Sequence, residues 1–245
     1  MANLDIVIPV YNEGGNIIAV MESFHAHVKT SFRVLICYDM EDDNTLVALA
    51  DYPAEKAEIV YVRNHGRGPN DAIVTGLKAS TASAVLVHMA DDDYNAGVID
   101  DMYRRIAGGA DIVTGSRYMP GGCYNGAFWL KEVLSRTASY SLYFLGGAPV
   151  RDSTNGFRMF SRRVLEGIEV ESQQGFTFTI ELLVKADRLG WTIEEVPALW
   201  FERTVGKSRF RIFKWVLPYF RWYLYGLATR WLRRGPASVR LRKPA

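Results

Sequence analysis

Short runs of consecutive apolar residues recur along the first half of the chain, each followed by a polar cluster and then by apolar residues at helical spacing. "LDIVIPV" at 4–10 precedes "YNEGGN", after which Ile17, Met21, Phe24 and Val28 recur every three or four positions. "FRVLICY" at 32–38 leads into "DMEDDNT", "AEIVYV" at 57–62 into "RNHGRGPN", and "SAVLVHMA" at 83–90 into "DDDYN". The segment "NDAIVTGLKAS" at 70–80 is helical in pattern. Runs rich in Val, Ile and Leu on both faces, separated by helices, predict a mostly parallel sheet covered on both sides. In such a sheet ligands collect at the carboxyl ends of the strands, where each polar cluster stands.

The second half continues with a helix through Val98, Met102 and Ile106 and a strand "ADIVTGS" at 110–116. The glycine-rich "RYMPGGCYNG" at 117–126 predicts a mobile loop. Helices follow over 131–147 and 178–190, the latter closed by Gly190 in the left-handed C′ position, and "WTIEEVPALWF" at 191–201 predicts one strand. No internal repeat or low-complexity linker interrupts the pattern.

At 245 residues with 49% apolar content, the chain can bury a sizeable α/β core. Its two cysteines, Cys37 and Cys123, have no zinc spacing and fit a reducing cytoplasm. The N-terminus has no basic leader ahead of a long apolar run, so the expectation is a folded strand rather than an export signal. The net charge of +2 hides an asymmetry: residues 203–245 carry 12 basic and no acidic side chains, leaving 17 basic and 27 acidic before them. A cationic tail suits nucleic acid, anionic lipid or a phosphorylated substrate, and charge alone does not choose.

Asp91, Asp92 and Asp93 would repel one another at a strand end unless a cation or hydrogen-bond donors neutralise them. A divalent Mg²⁺ or Mn²⁺, held by one or two carboxylates and the oxygens of a bound diphosphate, is one solution; a solvated acidic turn is the other. The second acidic cluster, Asp39, Glu41, Asp42 and Asp43, stands at a neighbouring strand end. With arginines at 117, 151, 158, 203 and 209, a crevice of this kind has what a diphosphate leaving group needs, although any one arginine serves equally well in a surface ion pair.

Taken in order, "DIVIPVYNE", "ICYDMEDDNT", "MADDD", "DIVTGSRYMPGG", "RDSTNGFRMF", "GFTFTIELLVKADRLG" and "FERTVGKSRF" closely resemble the inverting GT-A-fold glycosyltransferases of family 2. Within that family they resemble the dolichyl-phosphate mannose synthase and polyprenyl-phosphate glycosyltransferase branch, from about residue 4 to 210. The resemblance implies an α/β GT-A (Rossmann-like) fold, with residues 1–207 as the catalytic domain and 208–245 as a basic, aromatic membrane-interface tail. By position it implies a donor pocket of Pro9, Tyr11, Glu13, Asp39 and Asp91, and a D-x-D metal site of Asp91 and Asp93 for Mg²⁺ or Mn²⁺. Arg117 resembles the mobile-loop arginine that meets the phosphates and acts with Asp93 in catalysis, while Lys131, Ser135, Arg203 and Arg209 match phosphate and acceptor positions. Three consecutive aspartates stand where the family often has D-A-D, so Asp92 is an alternative ligand. Lys131 replaces a frequent arginine and cannot grip phosphate bidentately.

The implied reaction transfers a sugar from a nucleotide-sugar donor, GDP-mannose ahead of UDP-glucose, to a polyprenyl phosphate at the cytoplasmic face of a membrane. A phosphate oxygen is already an anion and needs no general base; a saccharide hydroxyl acceptor would need one, with Asp93, Asp152 or Glu181 as candidates. From Ser208 to Arg234 tryptophans and tyrosines alternate with arginines, and no uncharged apolar run approaches the roughly 20 residues that cross a bilayer. The tail is expected to lie peripherally on an anionic surface as two short helices, the second starting at Pro218, with its tryptophans among the headgroups. Packing on the domain and a homo-oligomeric interface are the competing uses. A nucleic-acid or nucleotide-binding module without catalysis is disfavoured by the intact metal, nucleoside and phosphate positions.

Overall fold

The computed structural model describes residues 2–126, 129–202 and 212–242. A seven-stranded sheet runs in the order β3-β2-β1-β4-β7-β5-β8. Its strands are β1 (Leu4–Val10), β2 (Phe32–Tyr38), β3 (Glu58–Arg63), β4 (Ala84–Val87), β5 (Ile112–Ser116), β7 (Arg158–Ser161) and β8 (Ile193–Pro197). All pair in parallel except β7, which is antiparallel to β4 and β5. The helices are α1 (Ile17–His27), α2 (Asn44–Leu49), α3 (Pro69–Ala79), α4 (Ile99–Ala107), α5 (Trp129–Phe144), α6 (Arg162–Gly167), α7 (Phe178–Arg188) and α8 (Ile212–Trp231).

Alternation along the strands explains the two-sided core. Leu4, Ile6 and Ile8 of β1 pack with Ile17, Met21 and Phe24 of α1 on one face. Val7 joins Ile73 and Leu77 of α3 and Phe178 of α7 on the other. Chain order reverses between β1 and β4, so a crevice opens beyond their carboxyl ends, where the acidic turn lies.

The glycine-rich segment, expected as a mobile loop, is a loop over 117–122 but not throughout. It contains β6 (Cys123–Asn125), paired in parallel with β9 (Leu199–Phe201) in a second, two-stranded sheet. The single strand expected over 191–201 is correspondingly two: β8 stays in the large sheet, and β9 follows one residue later in the small one. The ladder is continuous across the change, because Ala198 N donates to Ser116 O and Ala198 O accepts from Cys123 N, both at 3.0 Å. Residues 117–122 therefore form a bulge opposite Ala198. Where the bulge closes, a Cβ on Gly122 would lie 2.4 Å from Ser116 O, a contact only glycine avoids. Gly190 has φ +72° just past α7, as its pattern predicts.

The tail also departs from expectation. Pro218 lies inside α8 and does not start a second helix. One face of α8 packs on the domain, burying Trp222 against Leu142, Ile180 and Val184, so that ring is not available to lipid headgroups. Arg188 fastens the contact, donating from Nε to Thr229 Oγ1 at 2.9 Å and from Nη2 to Gly226 O at 3.0 Å.

Candidate active site

The end of β1 turns sharply at Asn12, whose φ of +56° is left-handed, a region asparagine tolerates. Backbone amides fix this turn. Asn12 N donates to Asp43 Oδ2 at 3.0 Å, Glu13 N to Thr45 Oγ1 at 2.9 Å and Gly14 N to Asn44 Oδ1 at 2.9 Å. Asp43 also caps α2 by accepting from Thr45 N, so it is a buried structural carboxylate. Pro9 occupies the end of β1, and Tyr11 beyond it is 43% exposed. Asp39, one residue past β2, accepts from Asn64 Nδ2 at 2.7 Å and Gly68 N at 3.0 Å, which holds the loop ahead of α3 against the crevice. Pro9, Tyr11, Glu13 and Asp39 thus stand at two adjacent strand ends. Glu41 of the same acidic cluster points away to an ion pair with Arg63.

The three aspartates after β4 divide in two. Asp93 is exposed and Asp91 partly so, while Asp92 turns inward and is 7% exposed. Asp92 accepts from Asn95 N at 3.1 Å and Asn95 Nδ2 at 2.8 Å, and lies 3.8 Å from His88 Nε2. Burial raises its pKa above the ordinary value, partly offset by His88 and the Asn95 bonds. Asp92 is thus an internal acceptor of the turn. Among the described residues no three His, Cys, Asp or Glu side chains converge as a closed metal cage. Asp93 and the partly exposed Asp91 remain at the surface of the turn, and a hard cation held by two carboxylates would take its remaining oxygens from diphosphate and water.

Arg117 follows β5 and is 9% exposed. Nε and Nη2 donate to Asp152 Oδ2 at 2.6 Å and Oδ1 at 2.9 Å, and its backbone N donates to Oδ2 at 3.1 Å. Nη2 also donates to Thr154 Oγ1 at 2.8 Å and Ser135 Oγ at 3.2 Å. The Tyr118 and Tyr124 rings, themselves edge to face, lie 5.2 and 4.6 Å from the guanidinium carbon, two cation–π contacts. Burial alone would raise the Asp152 pKa, but the Arg117 charge and hydrogen bonds outweigh it and hold the carboxyl below 3.8. Arg117, expected in a mobile loop, is held here by Asp152, Thr154 and Ser135 at the start of the segment.

Asp152 opens the "DSTNGFR" motif, and the rest of that motif supports it. Asn155 Nδ2 donates to Gly115 O at 2.8 Å, tying the turn to β5. Arg158, wholly buried, donates to the carbonyls of Thr179, Asp152 and Ser153, and burial pushes its pKa down to about 10. Arg158 is therefore no phosphate ligand, and Arg151 is engaged by Glu195. Asp152 and Glu181 are excluded as general bases. The first is closed by Arg117, and the second is buried accepting from Lys185 Nζ and the backbone N of Glu171 and Ser172. Ser135 sits on α5 and accepts from Tyr118 Oη at 2.8 Å, while the Lys131 ammonium lies 4.5 Å above the Trp200 ring. Arg203 and Arg209 lie outside the described residues. Thr154 and Asn95 were not assigned to the site from sequence, and Asp152 entered only as a candidate base and not as the partner of Arg117; the compact "DSTNGFR" run was the available signal for Thr154.

Residues 5–168 match the family described as Glycosyl transferase family 2. The chain is a family 2 glycosyltransferase. Among relatives in this family, polyprenol monophosphomannose synthase of Mycolicibacterium smegmatis is 32% identical over 213 residues, covering 83% of this chain and 79% of the relative. Dolichol-phosphate mannosyltransferase of Pyrococcus furiosus is 24% identical, covering 85% of this chain and 59% of the relative. The GT-A fold is shared with glucosyl-3-phosphoglycerate synthase from Mycobacterium tuberculosis, solved in complex with UDP, at TM-score 0.67 and 18% identity over 93% of this chain and 80% of that one. A complex of the same enzyme with Mn²⁺, UDP and glucosyl-3-phosphoglycerate superposes at TM-score 0.66 and 20% identity, over 94% and 80% of the two chains.

Proposed function

We propose that this family 2 glycosyltransferase moves mannose from GDP-mannose to a polyprenyl phosphate at a membrane surface, with Mg²⁺ or Mn²⁺ held by Asp91 and Asp93. The observation that carries the acceptor is the two-sidedness of α5. Its inner side bears Lys131 and Ser135 beside Arg117, whereas Trp129, Val133 and Phe144 form an exposed stripe on the outer side at helical spacing. A second apolar stripe, Leu217, Phe220, Leu224 and Trp231 on α8, lies alongside, since Trp231 Nε1 donates to Leu145 O and Tyr223 Oη to Ser141 Oγ. One pair of helices thus offers cations to a phosphate and apolar surface to the lipid that bears it. Among the described residues no helix is long and apolar enough to cross a membrane, so the contact proposed is peripheral.

Pro9, Tyr11, Glu13 and Asp39 receive the nucleoside at the ends of β1 and β2. The cation, when bound, supplies charge neutralisation on the leaving diphosphate. Arg117 keeps Nη1 outside its network with Asp152, Thr154 and Ser135, and with Lys131 it draws the acceptor phosphate toward the anomeric carbon. An anionic oxygen attacks in line without proton removal, in keeping with the closure of Asp152 and Glu181. Mannose is preferred over glucose on the names of the two relatives, and the guanosine base is part of the proposal. Incubation with Mn²⁺, radiolabelled sugar nucleotides and polyprenyl phosphate tests the reading. Label from GDP-mannose should enter the organic phase, and label confined to water-soluble saccharide would refute the lipid acceptor.

A further inference from the structure

The β6–β9 sheet stands between the acidic turn and the arginine cluster, and a single side chain ties it to the turn. Asn95 Oδ1 accepts from Leu199 N at 2.9 Å, and Nδ2 donates to Leu199 O at 2.8 Å. The carboxamide therefore takes both backbone positions that a neighbouring strand would take. The same Nδ2 donates to Asp92 Oδ2, and Asp92 Oδ1 accepts from Asn95 N. Tyr94 adds a second tie: its hydroxyl accepts from Phe201 N at 3.3 Å, and the two rings meet edge to face at 5.0 Å. Asn95 is 3% exposed, and its oxygen is committed to a strand rather than offered to a cation.

The other partners of this small sheet are the phosphate-side cations. Trp200 of β9 lies under the Lys131 ammonium at 4.5 Å, and Tyr124 of β6 lies under the Arg117 guanidinium at 4.6 Å. The two rings contact each other at 4.7 Å. A continuous chain of packed groups thus runs from Asp92 through Asn95, Leu199, Trp200 and Tyr124 to Lys131 and Arg117.

We infer that Asn95 is a positioning residue that sets the separation between the metal-binding turn and the cations that meet the acceptor phosphate, acting through the β6–β9 sheet. This rests on the roles given above to Asp91, Asp93, Arg117 and Lys131. The physical need is strict. In-line transfer requires reacting atoms at about 3–3.5 Å, and a displacement of about 1 Å costs on the order of 100-fold in rate. Only a planar carboxamide supplies one acceptor and two donors from a side chain this short; aspartate loses the donors and places a second carboxylate against Asp92.

The full chain carrying Asn95→Ala or Asn95→Asp provides the test. Each variant should lower kcat by about 10- to 100-fold. Calorimetric affinity for GDP with Mn²⁺ should stay within about threefold of the parent protein, because the outward carboxylates and the nucleoside pocket are untouched. Affinity falling in step with kcat would mean that Asn95 merely holds its own turn, and an unchanged kcat would remove it from the reaction; either result overturns the inference. A readout that needs no acceptor keeps the two readings apart. In 5-fluorotryptophan-labelled protein, with the Trp200 ¹⁹F line assigned by Trp200→Phe, bound Mn²⁺ and GDP should broaden that line by a different amount in the variants than in the parent, because paramagnetic broadening falls steeply with the distance from the ion. Identical broadening would refute the positioning role. Absence of polyprenyl product from the parent protein would refute the acceptor reading alone, and the ¹⁹F comparison would still decide the role of Asn95. If Asn95→Ala does not fold, the isosteric Asn95→Asp carries the same comparisons.

Discussion

Asp152 and Arg117 form a closed, buried fork, with both carboxylate oxygens taken by guanidinium nitrogens and the Arg117 backbone amide bound to the same carboxylate. The fork holds the guanidinium in one orientation in this structure. It is fixed before substrate arrives, which reduces the reorganisation that charge development would otherwise demand.

Breaking the fork should therefore damage stability and rate together. Asp152→Ala leaves the Arg117 charge buried without its carboxylate and is expected to cost about 3–5 kcal/mol in urea denaturation at pH 7. Arg117→Lys keeps the charge but loses the fork, and should lower kcat at least tenfold even where the fold survives.

Acid should dissolve the same contact in a defined order. The folded-state pKa of Asp152 lies below its ordinary 3.8, as does that of Asp5, where burial is outweighed by Arg33, Ser80 and backbone donors. For a depressed carboxyl, the stability contribution is complete above the unfolded pKa and is lost as pH falls through the folded one. Urea midpoints measured from pH 7 to pH 3 should drop in the acid limb for the parent protein and drop less for Asp152→Asn. Equal slopes would remove Asp152 from the acid response.

Within the aspartate triplet the outer and inner members should separate. Asp91→Asn and Asp93→Asn are expected to weaken Mn²⁺-dependent GDP binding tenfold or more with little change in melting temperature. Asp92→Asn should do the reverse, since its carboxyl lies inside the turn and touches Asn95. Titration calorimetry beside thermal denaturation distinguishes them, and equal binding losses at all three positions would contradict the assignment.

The tryptophans of α8 should divide likewise. Trp222 is 4% exposed, and Trp222→Ala should cost about 3–5 kcal/mol through the cavity it leaves. Trp231 is 64% exposed, so Trp231→Ala should change stability by less than about 1 kcal/mol. Flotation with anionic vesicles should nevertheless weaken for Trp231→Ala, and weaken in the parent protein as salt is raised. Failure of the parent to float at any salt concentration would assign the apolar stripes to contact between proteins.

Strand rhythm and the acidic strand ends were legible in the sequence because each depends on residues close in the chain: "LDIVIPV" and "FRVLICY" fall on β1 and β2 as read. What was not legible depends on partners far apart. Nothing near "RYMPGGCYNG" signals that Cys123 pairs with Leu199, so the short strand at its end read as part of the loop. Asp152 read as a candidate base because its partner stands 35 residues earlier. Trp222 read as a lipid-facing ring because interfacial and packed tryptophans share one composition, and only the neighbouring surfaces of α5 and α7 distinguish them.

The six residues opposite Ala198 have a consequence for how this chain tolerates changes of length. Because the β5–β8 ladder is pinned at Ser116 and the β6–β9 ladder resumes at Cys123, a residue inserted between Met119 and Gly121 can be taken up outside both sheets without shifting either register. Arg117 lies on the pinned side of that allowance. Loop length and arginine position are thereby uncoupled, so the segment can be lengthened to suit a different acceptor while the buried fork stays where it is.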